Sequence, residues 1–167
     1  MIHPADARPS ASRTIALTIC GLLAVQFLLG MYVNLYVNLP SVTTTVGGGF
    51  VGPMMGRFAE MFSPGLPVLM AHMMLGMILI VTGVIALIVA MSSQDHFAIG
   101  WSATGLAALI ASAYGGITFF MFGHSNLASY LMAVGFLVCF ASYLVIAVRS
   151  SLSASFPLKT HQTREID

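Results

Sequence analysis

Three long intervals of the chain contain no Asp, Glu, Lys or Arg and consist mainly of apolar residues. A helix that crosses the hydrocarbon core of a bilayer needs about 20 such residues. The intervals 14–56 and 61–94 have room for one helix each, because the first also contains a glycine-rich loop. The interval 96–148 is long enough for two helices and is broken by the polar residues 123–126. The pattern therefore predicts four transmembrane helices, at about 15–38, 67–91, 98–122 and 126–148.

The composition excludes an ordinary soluble domain. Of the 167 residues, 58% are hydrophobic and 7% are charged, whereas soluble domains carry about 25% charged residues. The expected fold class is an all-α polytopic integral membrane four-helix bundle over residues 14–149. Residues 1–13 and 150–167 are polar tails; we expect the first to be disordered and assign no structure to the second. Cys20 and Cys139 lie within predicted helices, where they are expected to pack as small apolar residues.

Basic residues are concentrated at one side of the predicted topology. Four spans place both tails on the same side of the membrane, and five of the six Lys and Arg residues lie in those tails or beside them: Arg8, Arg13, Arg149, Lys159 and Arg164. The positive-inside rule then predicts that both termini are cytoplasmic, and we expect the cytoplasmic membrane of a prokaryote. The formal net charge is only +1, and the sequence has no basic patch that would bind nucleic acid.

Few polar side chains lie inside the predicted helices, and those of the first helix fall on one slowly drifting face. Gln26, Gly30, Asn34 and Asn38 follow one another at steps of four. On the second helix, His72 is the only Asp, Glu, Lys, Arg or His well inside a predicted span, which makes it a functional hypothesis by default. Two interpretations are open. His72 forms an interhelical hydrogen bond with Asn34 or Asn38, or the polar face lines a cofactor or substrate site.

The imidazole of His72 makes a haem site the first chemical hypothesis. A neutral imidazole is a good axial ligand for haem iron, and helical bundles bind haem through side chains that project inward. Gly76 would leave room for a b-type porphyrin beside His72 near the outer face, and Gln26 and Asn34 would line the same site. Three side chains are candidates for the second axial ligand: His124 first, and Met121 or Met132 as thioethers.

Methionines at the predicted outer side support a copper hypothesis. Thioethers suit Cu(I), and seven of the 12 methionines cluster there: Met54, Met55, Met61, Met70, Met73, Met74 and Met77. Methionine is also a common filler between packed helices. Copper is therefore the less favoured of the two cofactors.

Two further stretches carry structural predictions. Small residues on the third helix recur at steps of four and predict a close helix–helix packing seam: Gly100, Thr104, Ala108, Ser112 and Gly116. In the long loop, residues 53–62 begin with a proline and place apolar side chains on one face. This segment is predicted to form an amphipathic helix on the outer leaflet or to cap the bundle.

The first two predicted helices together resemble a helical hairpin of haem A synthase. That family has a Q-x-L-L-G pattern on one helix, then an outer loop, then a histidine followed by small and apolar residues on the next helix. The resemblance covers residues 26–83, about a third of the chain. The matching residues are Gln26, Leu28, Leu29 and Gly30, then His72 with Leu75.

The resemblance implies a haem held at the outer side by histidines on two helices, and this chain has the length of one four-helix half of the family. Ser129 stands where the family has its second histidine, with His124 five residues upstream. No carboxylate lies within the predicted spans, so the resemblance does not imply that this chain oxidises haem by itself. Two interpretations stay open: a b-type haem that serves electron transfer or haem handling, or a vestigial haem fold.

A different class of function requires no cofactor. Small four-helix membrane proteins also serve as accessory or assembly subunits of larger complexes, including respiratory ones, or form homo-oligomers. The small-residue stripes would then pack against a partner. The sequence contains no carboxylate pair, Cys–His dyad or phosphate-binding loop that would indicate another reaction class. Haem binding and an accessory role are therefore the two functional hypotheses.

Overall fold

The computed structural model describes residues 11–37, 66–122 and 126–155, and these form four long α-helices. Helix α1 spans Ala11–Tyr36, α2 spans Pro67–Ser92, α3 spans His96–Phe122 and α4 spans Asn126–Ser155. Several predictions fall on other parts of the chain. The residues concerned lie outside the described part: the amphipathic segment 53–62, the haem ligand candidate His124, Asn38 of the polar series, and Met54, Met55 and Met61 of the copper hypothesis.

All four helices are long and apolar enough to cross a membrane, which confirms the number and order of the predicted spans. The most apolar stretch of each helix has a mean hydropathy between 1.7 and 2.8, and only 22–33% of that stretch is buried inside the bundle. Apolar side chains therefore cover the outer surface as well as the core. That distribution is typical of helices that are solvated by lipid rather than by water.

The helices form a ring in which each one packs against two neighbours: α1 with α2, α2 with α3, α3 with α4, and α4 with α1. Consecutive helices run antiparallel, so Ala11 and Ser155 lie at one end of the bundle, called the terminal end here. The opposite end, with Tyr36 and Pro67, is the distal end. In this up-and-down arrangement each helix follows its neighbour in sequence around the ring, and the links from α2 to α3 and from α3 to α4 are three residues each.

Two apolar clusters fill the interior at different levels. The larger one occupies the terminal half and combines residues of all four helices, among them Leu23, Leu79, Leu109 and Tyr143. The smaller one lies near the distal end: Val33, Leu69, Phe120 and Met121. On α1, Gln26 and Gly30 fall between these two levels, and on α2 so do His72 and Gly76.

The tightest helix pair is α3 with α4. A Cβ atom added to Gly135 of α4 would lie 2.7 Å from the carbonyl oxygen of Ala108, and one added to Gly115 of α3 would lie 3.0 Å from the carbonyl oxygen of Ala128. The Ser112 hydroxyl donates a hydrogen bond of 3.1 Å to the Met132 carbonyl across the same interface. Backbone-to-backbone approach of this kind is how small residues stabilise helix pairs in membranes.

The predicted seam on α3 is only partly correct. Ala108 and Ser112 lie in the α3–α4 interface, but Gly100 and Thr104 are exposed on the outside of the bundle. A step of four residues overshoots one helical turn by about 40°, so a stripe of four such steps winds to the other side of the helix. The interface instead continues through residues at mixed steps of three and four, and Gly105 is one of them.

A short turn at the terminal end connects α2 to α3 and explains where α3 begins. The Asp95 carboxylate accepts hydrogen bonds from the backbone N–H groups of Phe97 and Ala98, at 3.1 and 3.3 Å. This N-cap starts the helix at His96, two residues before the predicted boundary. Arg149 of α4 lies 3.7 Å from the same carboxylate and 4.0 Å above the Phe97 ring.

The outer boundaries of the bundle also differ from the expected tails. Helix α1 already includes Ser12 and Arg13, and α4 continues to Ser155 instead of ending near residue 148. The hydroxyls of Ser150 and Ser151 donate hydrogen bonds of 2.9 Å to carbonyls one turn earlier, so these polar residues satisfy themselves within the helix. Residues 1–10 and 156–167 lie outside the described part.

Candidate functional site

Gln26 of α1 and His72 of α2 meet across the interface of these two helices. The side-chain Nε2 of Gln26 lies 3.3 Å from Nε2 of the imidazole. On α1, the contact falls between Leu23 of the larger apolar cluster and Val33 of the smaller one. It is therefore a polar contact placed between two apolar layers of the bundle.

A glycine opposite each polar side chain makes this contact sterically possible. The His72 ring lies over Gly30, where a Cβ would be 3.0 Å from ring atom Cε1. The Gln26 amide lies over Gly76, where a Cβ would be 3.3 Å from Nε2. Gln26 and Gly30 are four residues apart on α1, and His72 and Gly76 are four residues apart on α2, so each helix has a polar side chain and a glycine notch on one face. Because the two helices are antiparallel, each polar side chain lies opposite the glycine notch of the other helix. We call this arrangement the Gln–His clasp.

The hydrogen-bonding state of the clasp follows from the amide orientation. With Nε2 of Gln26 as the donor, Nε2 of His72 is the acceptor and the imidazole proton is on Nδ1. Two polar atoms of the clasp, Oε1 of Gln26 and Nδ1 of His72, are then buried without a hydrogen-bond partner. Rotating the amide by half a turn would exchange the donor and acceptor roles and keep the same single hydrogen bond.

The described residues do not fit a haem in this arrangement. Nε2 of His72 is directed at Gln26, and Nδ1 is buried 3.6 Å from the position of a Cβ on Gly30. Both ring nitrogens therefore face α1, and neither faces a space in which an iron could lie. The notch at Gly76, which the sequence suggested for a porphyrin, is filled by the Gln26 amide.

The other predicted site residues do not join this contact. Asn34 is exposed on α1, so the structure pairs His72 with Gln26 instead of Asn34. Met121 is buried in the smaller apolar cluster, and Met132 packs on Gly115 and Gly116 in the α3–α4 interface.

A metal cluster is also absent from the part of the chain that the structure describes. No group of three or more His, Cys, Asp or Glu side chains there is placed to hold a metal ion. Four of the methionines proposed for copper fall in this part. Met70, Met74 and Met77 are exposed on the outside of α2, whereas Met73 packs against the smaller apolar cluster. Methionines at such positions commonly face lipid or fill gaps between packed helices.

The sequence pattern did not indicate the role of one buried polar residue, Tyr143. Tyr143 of α4 is completely buried, and its ring packs on Gly105 of α3 while its hydroxyl lies against Gly83 of α2. The hydroxyl has no hydrogen-bond partner in the described structure. A tyrosine in the middle of an apolar run is visible in the sequence. Its burial could not be predicted, because the two glycines that contact it belong to other helices.

The fold is that of a small four-helix protein whose helices are all long and apolar enough to cross a membrane. The chain matches no protein-family model, and it matches neither a curated protein nor a solved structure.

Proposed function

We propose that the protein is a non-catalytic accessory or assembly subunit of a larger membrane complex, and that the Gln–His clasp fastens its first two helices. In this proposal the terminal end of the bundle is cytoplasmic, in the cytoplasmic membrane of a prokaryote. Arg13 and Arg149 lie at that end, in agreement with the positive-inside rule. The polar side chains of the clasp serve helix packing, because each one occupies a glycine notch of the neighbouring helix.

The main support for binding of a partner protein is one outward surface of α3. Between Phe97 and Ile110, the exposed side chains of α3 are all small, and a Cβ added to Gly100 would meet nothing within 4 Å. We call this surface the α3 small-residue face; it consists of Gly100, Ala103, Thr104 and Ala107. Small residues at steps of four let the backbone of another helix approach closely. The proposed occupant is a transmembrane helix of a partner protein.

The outward surface of α2 provides the contrast. Its exposed residues are bulky along the whole span, and they include Ile78, Val81, Val84, Ile85 and Ile88. Lipid chains solvate such side chains as well as another protein does, so this surface gains little from a partner helix. The α3 small-residue face differs in that it lets the backbone of a partner helix approach closely, a contact that bulky side chains prevent.

Photo-crosslinking tests this assignment. A photoreactive residue in place of Ile110, a bulky exposed residue one turn beyond the face on α3, in tagged protein in its native membrane, is expected to give an adduct with a different polypeptide. Ala103→Leu is expected to reduce that adduct about tenfold, since the larger side chain keeps the partner backbone at a distance, a change that corresponds to about 1.4 kcal/mol. The yield is measured by blotting and the partner by mass spectrometry.

Position 84 on α2 serves as the matched control, because Val84 is exposed to the same environment without a notch. It should give no specific adduct. An adduct of twice the 17.7 kDa mass of one chain would show a second copy of this protein at the face and contradict the proposed partner. Equal labelling of lipid from positions 110 and 84 would contradict any docking role.

Binding of a b-type haem through His72, for electron transfer or haem handling, is the second candidate. The observation in its favour is an imidazole in a span with one ring nitrogen that has no hydrogen-bond partner. It requires Gln26 and His72 to leave the clasp, since both ring nitrogens face α1. An absorption spectrum of the protein separates this candidate from the first.

A further inference from the structure

Four tyrosines are exposed on the outside of the bundle, toward its distal end. Of the five tyrosines in the chain, only Tyr143 is buried. Tyr32 of α1 is 49% exposed, Tyr114 of α3 is 63% exposed and Tyr130 of α4 is 68% exposed. Tyr36 follows one turn after Tyr32, and the centroids of these two rings are 5.0 Å apart. An exposed tyrosine has an apolar ring and a polar hydroxyl, a combination that suits the boundary between lipid chains and water.

A ring contact between α1 and α4 shows that two of these tyrosines lie at nearly the same level. Phe27 of α1 and Phe136 of α4 pack with their ring centroids 5.3 Å apart, which sets the register of the two antiparallel helices. Toward the distal end, Tyr32 follows five residues after Phe27, and Tyr130 lies six residues from Phe136. The levels of Tyr32 and Tyr130 therefore differ by about one residue, or about 1.5 Å along the helix axes.

Tyr114 of α3 lies close to this level as well. A Cβ on the next residue, Gly115, would be 3.0 Å from the carbonyl oxygen of Ala128 and 3.2 Å from the backbone nitrogen of Met132. Gly115 is therefore level with the turn of α4 that contains Tyr130. Three exposed tyrosines on three helices thus lie at one level of the bundle, and we call them the tyrosine belt: Tyr32, Tyr114 and Tyr130.

The charged residues nearest to the terminal end define a second level. Tyr32 follows Arg13 by 19 residues on α1, and Arg149 follows Tyr130 by 19 residues on α4. The Arg149 guanidinium lies 4.0 Å from the centroid of the Phe97 ring, so the same level meets α3 at its second residue. At 1.5 Å per residue, the two levels are about 29 Å apart. The hydrocarbon core of a typical bilayer is about 30 Å thick.

We propose that the tyrosine belt binds the headgroup region of one lipid leaflet, and that Arg13 and Arg149 lie at the headgroup level of the other. The tyrosine hydroxyls donate hydrogen bonds to the ester carbonyls of the lipid, at the border of the hydrocarbon core. The Arg149 side chain is 49% exposed, so its guanidinium pairs with lipid phosphate in addition to Asp95. In the sequence, no Asp, Glu, Lys or Arg falls between the two levels on any helix.

This placement assigns two features of the bundle to different leaflets. Gln26 of the clasp lies six residues inside the tyrosine belt, at a depth of about 9 Å. The α3 small-residue face begins at Gly100, three residues inside Phe97, at a depth of about 5 Å from the other side. The placement goes beyond the proposed partner protein and holds whether or not a helix occupies that face, so the two proposals fail separately.

Fluorescence quenching by brominated lipids tests the depth of the tyrosine belt. Trp101 is the only tryptophan of the chain, so Trp101→Phe provides a background for a single new tryptophan. In phosphatidylcholine vesicles, Tyr130→Trp is expected to lose most fluorescence to lipid that is brominated near the ester carbonyls. Leu137→Trp is the matched control, because Leu137 is exposed on the same helix. It lies seven residues deeper, about 10 Å, and should lose most fluorescence to lipid brominated near the chain ends.

Stability of the unmodified protein in bilayers of different thickness provides a test without substitutions. The melting temperature is expected to be highest when the hydrocarbon core is about 29 Å thick, because mismatch in either direction costs free energy. An optimum more than about 5 Å away from this thickness would overturn the placement. Strongest quenching of a tryptophan at position 130 by the deep bromines would also overturn it. Absence of quenching there would show that protein rather than lipid covers the belt, and would overturn it as well.

Discussion

Gly135→Ala is expected to lower the free energy of unfolding by about 1–3 kcal/mol, which makes it the most damaging single-methyl change in the described bundle. The added Cβ would lie 2.7 Å from the Ala108 carbonyl oxygen and 3.0 Å from the Ser112 backbone nitrogen. Both are backbone atoms of α3 and cannot rotate away as a flexible side chain can. The two helices must separate, and the Ser112 to Met132 hydrogen bond across the interface lengthens.

Gly21→Ala is the matched control for this prediction. A Cβ at Gly21 of α1 would meet nothing within 4 Å, so the substitution brings only the better helix propensity of alanine, about 1 kcal/mol at most. Both variants are compared with the parent protein by reversible unfolding in mixed detergent micelles. Equal stability of the two variants would contradict the close α3–α4 approach.

The second large effect concerns the Gln–His clasp. His72→Ala and Gln26→Ala are each expected to lower the free energy of unfolding by about 1–3 kcal/mol, because each leaves its partner's polar group unpaired inside the bundle. The double variant should lose less than the sum of the two. The difference is expected to be about 0.6–1.7 kcal/mol, the range for interhelical hydrogen bonds in membranes.

Asn34→Ala provides the control for the clasp. Asn34 belongs to the same polar series as Gln26 in the sequence, but it is exposed and makes no contact with His72. Its replacement should change stability by no more than about 0.5 kcal/mol. If Asn34 rather than Gln26 showed energetic coupling to His72, the register of α1 against α2 would be wrong.

The span pattern could be predicted well because it depends on single segments. Intervals without charge of sufficient length specify four apolar helices, and the described helices agree with them. The ends were less predictable because local hydrogen bonds decide them. Asp95 starts α3 early through its N-cap, and Ser150 and Ser151 allow α4 to continue through polar sequence.

The candidate site could be predicted only in part. Gln26, Gly30, His72 and Gly76 were all recognised as unusual residues of their spans, and they do meet. Their pairing was not predicted, because the register between two antiparallel helices depends on contacts that a single-helix pattern does not contain. The same limit applies to Gly135, Gly105 and Tyr143, whose importance comes from backbone and ring contacts with other helices.

Four residues turn about 40° more than one full turn of an α-helix. This excess explains why Asn34 does not reach His72 and why Gly100 and Thr104 lie outside the α3–α4 interface. Asn34 follows Gln26 by two such steps and therefore lies about 80° further round α1. On α3, Thr104 and Gly100 precede Ser112 by two and three such steps, so they also lie on a different face of the helix. One step is a small change, so neighbours such as Gln26 and Gly30 share a face, while longer series do not.

We propose that the polar residues of the spans hold helices together and do not bind a cofactor. This central proposal is tested most directly by the absorption spectrum of the purified protein from cells supplied with haem, recorded oxidised and after dithionite reduction. With Gln26 and His72 engaged in the clasp, we expect no Soret band. A Soret band that shifts on reduction, disappears in His72→Ala and remains in Asn34→Ala would contradict the claim and identify His72 as a haem ligand.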